Sequence, residues 1–136
     1  MAQRFDAVTL TMRLSGRGLA DLDFFSKSDP RVRLERYTPF GWCYIEGCQT
    51  EVIDDELDPD FVTRIVYTAS TPGEKLRFIV WDSDGPLFSP DLIGYTVTIK
   101  VEDLIMHAKN NLVFCGRLDN KDEPGRENGT ISVAFE

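Results

Sequence analysis

Two stretches concentrate carboxylates beside apolar runs. Asp23 and Asp29 lie six residues apart between Gly18 and Pro30, and Asp82, Asp84 and Asp91 follow the run that ends in Val80-Trp81. Were the fold to bring both stretches to one end of the molecule, five carboxylates would crowd into a cup and raise one another's energy unless protons or cations intervened. Calcium suits such a cup because it accepts six to eight oxygens at flexible angles, from carboxylates, backbone carbonyls and water. Magnesium demands stricter octahedral geometry, and zinc favours His or Cys ligands. Asp82-Ser83-Asp84-Gly85 suggests an EF-hand at first, but Leu87 stands where that loop needs Gly and Ile93 where it needs Glu.

The same stretches carry Phe24 and Phe25, and Leu87 and Phe88. Apolar side chains flanked by aspartates are poor core candidates. Burying each in the acyl boundary of a membrane contributes roughly 1.5–3 kcal/mol, so a few would hold a surface that a cation had first attracted. An enzyme is disfavoured, since His107 is the only histidine and no nucleophile and base stand paired.

These loops need a rigid frame, and the pattern around them is that of strands. Val8, Leu10, Met12 and Leu14 alternate with polar residues; so do Val32 and Leu34, then Tyr95, Val97, Ile99 and Val101, then Ile131, Val133 and Phe135. Leu76 to Trp81 is a denser run suited to a central strand. Shorter candidates near Cys48 to Ile53, Phe61 to Thr68 and Asn111 to Arg117 bring the expectation to about eight strands, and only Val101 to Lys109 has helical spacing. Turn signals at Ser28-Asp29-Pro30, Asp58-Pro59, Thr71-Pro72-Gly73, Asp84-Gly85-Pro86 and Glu127-Asn128-Gly129 punctuate the runs. The expected fold class is all-β: one domain over residues 1–136, an eight-stranded antiparallel sandwich with one short helix. Trp42 and Trp81 are expected in its core, and Arg31, Arg33 and Arg36 on a solvated face.

The formal charge of −8, from 23 acidic and 15 basic residues, argues against a nucleic-acid partner. It equally disfavours adhesion to an anionic membrane unless a bound cation reverses the charge locally. Cys43, Cys48 and Cys115 are an odd number without zinc-type spacing, the start has no apolar signal segment, and no run is long enough for a membrane-spanning helix. A cytoplasmic protein with reduced thiols is expected, in which Asn128-Gly129-Thr130 serves as turn chemistry rather than a glycosylation site.

Three ordered motifs resemble those of C2 domains. Gly18-Leu19-Ala20-Asp21-Leu22-Asp23 with Ser26-Lys27-Ser28-Asp29-Pro30 resembles the family's first calcium loop. Gln49-Thr50-Glu51-Val52-Ile53 with Leu57-Asp58-Pro59-Asp60-Phe61 resembles its middle segment, Asp58 replacing the usual Asn. Val80-Trp81-Asp82-Ser83-Asp84 with Asp91-Leu92-Ile93-Gly94 resembles its third loop, although Asp91 lies seven residues after Asp84, one more than the commonest spacing. Phe25 to Pro30, Thr50 to Ile53 and Asn128 to Ile131 are most similar to the C2 domains of copines. The resemblance implies a C2-type Greek-key sandwich. It also implies that Asp23, Asp29, Asp82, Asp84 and Asp91, with the carbonyls of Leu22 and Ser83, ligate two or three calcium ions, and that the domain docks on phospholipid membranes. A calcium-independent protein-interaction module on the same fold is the alternative. In the middle strands, where some members bind phosphoinositides through lysines, this chain has Glu51, Asp54, Asp55 and Glu56, which implies weak phosphoinositide selectivity.

Overall fold

Alternation sorts the side chains of the first strand, β1 (Val8–Arg17), cleanly: Leu10, Met12 and Leu14 are buried, and Thr9, Arg13 and Arg17 are exposed. The computed structural model describes residues 4–22, 27–83 and 89–136. Among them follow β2 (Pro30–Thr38), β3 (Gly41–Gln49), β4 (Ile65–Ala69), β5 (Lys75–Asp82), β6 (Asp91–Tyr95), β7 (Ile99–Lys100), helix α1 (Val101–Lys109), β8 (Phe114–Arg117) and β9 (Thr130–Phe135). They form two antiparallel sheets, one in the order β4-β1-β9-β8 and the other β3-β2-β5-β6 with β7 beside β5. The inner faces meet in a core that includes Met12, Leu14, Leu34, Phe78, Ile93, Leu118 and Ile131. This is the all-β sandwich with one short helix that the patterning predicts.

Nine strands stand where about eight are expected, because the Tyr95 to Val101 run does not stay one strand. Thr96 is buried and Val97 exposed, the reverse of the expected alternation. The reason is a pair of bonds to one residue of β5: Thr96 N–H donates to the Phe78 carbonyl at 2.9 Å, and Phe78 N–H donates to Thr96 Oγ1 at 3.1 Å. A hydroxyl doing the work of a ladder carbonyl turns Thr96 inward and breaks the strand. Thr50 does the same beyond the end of β3, where its Oγ1 accepts from Val32 N–H at 3.0 Å and its N–H donates to the Val32 carbonyl at 2.9 Å. The expected Cys48 to Ile53 strand therefore ends early, while the chain still runs along β2.

Neither tryptophan is in the core. Trp42 and Trp81 are half-buried on the outer face of the second sheet. There the Arg77 guanidinium lies 4.5 Å from the Trp42 ring and 4.6 Å from the Tyr95 ring, and its Nε bonds Glu35 Oε1 at 2.8 Å. Cation–π stacking gives these large rings a partner outside the core. The β2 arginines are pinned rather than freely solvated: Arg31 Nε donates to the Thr50 carbonyl, Arg33 Nε to Gln49 Oε1, and the Arg36 Nε lies 3.8 Å from Glu74. Helix α1 buries Val101, Leu104 and Ile105 against the end of the sandwich away from the aspartates. No described helix is long and apolar enough to cross a membrane.

Candidate metal centre

Strand register decides which carboxylates meet. Pro30 of β2 pairs with Asp82 of β5, and Asp82 pairs with Asp91 of β6, so the first and third loops leave the sheet at the same end. Ser15 bridges to Asp60, which brings the β3–β4 connection there as well. In β5 the alternation that turns Phe78 and Val80 inward also turns Asp82 inward at the strand's last position, and Asp82 is wholly buried. Asp91, the first residue of β6, faces it across the strands and is exposed.

Asp29 ties the two loops together. Its N–H donates to Asp82 Oδ1 at 2.8 Å, and its carbonyl accepts from Ser83 N–H at 2.9 Å. The first loop is folded back by Ser28, a buried hydroxyl that accepts from Leu22 N–H at 2.9 Å and donates to the Ala20 carbonyl at 2.8 Å. Leu22 and Asp91 line a shared hollow of about 350 Å³ together with Asp122, Glu123 and Arg126. Among the expected ligands, then, Asp29 and Asp82 are brought together, Asp91 stands opposite Asp82, and Leu22 and Ser83 sit at the bases of their loops. Asp23 and Asp84 lie outside the described residues, as do Phe24, Phe25, Leu87 and Phe88. Among the described residues no group of three or more His, Cys, Asp or Glu is spaced to hold a metal ion. The side chains placed here are oxygen donors, with Cys48 buried in the core and His107 on α1, and that chemistry suits a hard cation such as calcium.

Two supports of the cup were not evident from motif spacing. Asp55 N–H donates to Asp29 Oδ1 at 2.6 Å, although in the sequence Asp55 is one acid among several. The loop before β9 braces β6: Arg126 donates to the Ile93 carbonyl at 3.2 Å and to Asn128 Oδ1 at 2.6 Å, and Asn120 donates to the Leu92 carbonyl at 3.2 Å. Gly94 allows this approach, since a Cβ there would lie 2.9 Å from the Asp119 carbonyl oxygen. The Asn-Gly at 128–129 is the one sequence signal for that brace.

Glu51 anchors the far side of the middle segment by accepting from Val62 N–H at 2.8 Å and Thr63 N–H at 3.1 Å. Burial raises its carboxyl pKa, but these backbone bonds outweigh burial and hold it below the ordinary glutamate value. A depressed folded value means that the ionised group's contribution is full above the unfolded value of about 4.3 and is lost as pH falls through the folded one. Glu51→Gln should therefore flatten the loss of stability on acidification below about pH 4, read by urea unfolding at a series of pH values. An unchanged acid limb would remove Glu51 from that role.

The sequence model of the C2 domain matches residues 9–115, from β1 into β8. Among solved structures, the C2A domain of a plant extended synaptotagmin 1 superposes with a TM-score of 0.67 at 15% identity, covering 94% of this chain and 93% of that one. A structure named BON1-C2B gives 0.66 at 17% identity, covering 93% and 87%. Human GIVD cytosolic phospholipase A2 gives 0.64 at 16% identity over 99% of this chain and only 17% of its own, so the likeness is to one part of that protein. At these identities the structures speak for the fold, and the sequence match over most of the chain speaks for the family: the chain belongs to the C2 domain family.

Proposed function

We propose that this C2 domain is a calcium-dependent module for docking on phospholipid membranes, acting by binding rather than by catalysis. The observation that carries the reading is Asp82: a wholly buried aspartate at the end of β5, bonded to Asp29 and opposite Asp91. Asp29, Asp82 and Asp91 thus come together as a set of carboxylate oxygens at one end of the sandwich, and a hard divalent cation among them would offset their mutual repulsion. Asp29, Asp82 and Asp91, joined by Asp23 and Asp84 and the carbonyls of Leu22 and Ser83, are the residues that would hold calcium. When bound, calcium supplies positive charge at an acidic end of a chain whose net charge is −8. Phe24, Phe25, Leu87 and Phe88 then insert at the acyl boundary.

The domain acts in the cytoplasm and moves to membranes when calcium rises, and the motifs at residues 25–30, 50–53 and 128–131 support a copine-like variant. The acidic stretch Glu51, Asp54, Asp55 and Glu56 disfavours phosphoinositides as the main target. Co-sedimentation with phosphatidylserine and phosphatidylcholine vesicles, in calcium and in chelator, tests the reading. Pelleting in calcium alone is expected. Folded protein that pellets in neither condition would overturn it in favour of a protein-interaction module.

A further inference from the structure

The β3–β4 connection reaches the cup through Asp55, whose φ of +54° lies in the left-handed region that Asp and Asn tolerate better than other side chains. In that conformation one residue meets two points of the first loop. Its N–H donates to Asp29 Oδ1 at 2.6 Å, and its own Oδ1 accepts from Lys27 N–H at 2.5 Å. The next residue continues the seam, with Glu56 N–H donating to the Ser28 carbonyl at 3.0 Å. Three consecutive residues of the first loop are thus held by two consecutive residues of the middle segment. Asp29 is in turn bonded to Asp82 and Ser83 of the third loop, so the line Asp55, Asp29, Asp82 runs through all three connections.

We propose that Asp55 is a positioning residue for calcium binding: it latches the first loop to the middle segment and presets the Asp29 carboxylate. The inference rests on the calcium reading above. A carboxylate already fixed through one oxygen has less rotamer freedom to lose when it takes a ligand, and partners of this outer kind typically change metal affinity 10–100-fold. The role needs an acceptor oxygen and a tolerance for positive φ rather than a negative charge. Asn meets both needs, Gly meets only the second and Ala meets neither.

The test compares the wild-type chain with Asp55→Asn, Asp55→Gly and Asp55→Ala in two measurements: amide exchange at Lys27 in chelator, and calcium affinity by calorimetry. The expected result is that Asn keeps Lys27 protection and stays within about threefold of wild-type affinity. Gly and Ala should both expose the Lys27 amide; Ala, strained at positive φ, should weaken calcium by 10-fold or more, and Gly, which keeps the backbone N–H to Asp29, by less. If Asn weakens calcium as much as Ala does, charge rather than positioning is responsible and the proposal is overturned. Lys27 exchange unchanged in Ala, or accelerated there with no change in calcium affinity, overturns it equally. A wild type that binds no calcium brings down the functional reading and the positioning role with it, while the Lys27 result still reports whether the latch itself exists.

Discussion

Asp82→Asn should abolish calcium-dependent pelleting with vesicles and, in chelator, leave the protein folded. Asn keeps the shape and an oxygen to accept the Asp29 N–H, so the bond joining the loops survives the change. What disappears is a negative charge at a wholly buried position directly across the strands from Asp91. The two proteins should part once calcium is added. A ligand at a hundredfold excess over its Kd stabilises the folded state by about 2.7 kcal/mol, which for a chain of this size raises the melting temperature by roughly 8–12 °C. Wild type should show that rise on calcium addition, and Asp82→Asn should show almost none. A variant that keeps the full thermal shift would place the metal elsewhere.

The largest expected loss of stability comes from a residue outside the aspartate set. Gly129→Ala should cost about 2–5 kcal/mol, combining left-handed backbone strain with overpacking. Gly129 has φ +96°, and a Cβ there would lie 2.6 Å from the Arg17 carbonyl oxygen and 2.7 Å from that of Gly18. Both obstacles are backbone, so neither can swing aside as a side-chain tip would. The neighbouring bonds hold the junction in place: Leu118 N–H donates to the Gly129 carbonyl at 2.9 Å, and Ala20 N–H to the Asn128 carbonyl at 3.3 Å. The cost is a large share of the 5–15 kcal/mol typical of a folded domain. Urea unfolding should show a lower midpoint with an unchanged slope. Because residues 17 and 18 open the first loop, calcium affinity should fall as well, and a loss below about 0.5 kcal/mol would mean that the junction yields more readily than its geometry implies.

Period-two alternation was enough to locate β1, β2 and β9, because each has one face in the core and its side chains alternate by geometry alone, and a dense apolar run located the central strand β5. It failed for β3, an edge strand that is exposed or half-buried along most of its length and so carries no clear period. It also failed at Thr96, where one side chain–backbone bond outweighed the pattern, and for Trp42 and Trp81, which found an arginine-lined outer face rather than the core. Spacing marked Asp29, Asp82 and Asp91 as ligand candidates. It passed over Asp55, since the partners Lys27 and Asp29 are more than twenty residues away in the chain.

The sequence by itself therefore determined the sandwich class, the family and the placing of aspartates at strand ends, all of which depend on local period, turn chemistry and short motifs. Only the tertiary structure decided that Asp82 is buried, that Asp91 faces it, and that Asp29 is held from two sides. The physical reason is that strand register and loop-to-loop hydrogen bonds join residues distant in the chain, and a one-residue shift of register would carry the same aspartate to the opposite face of its sheet.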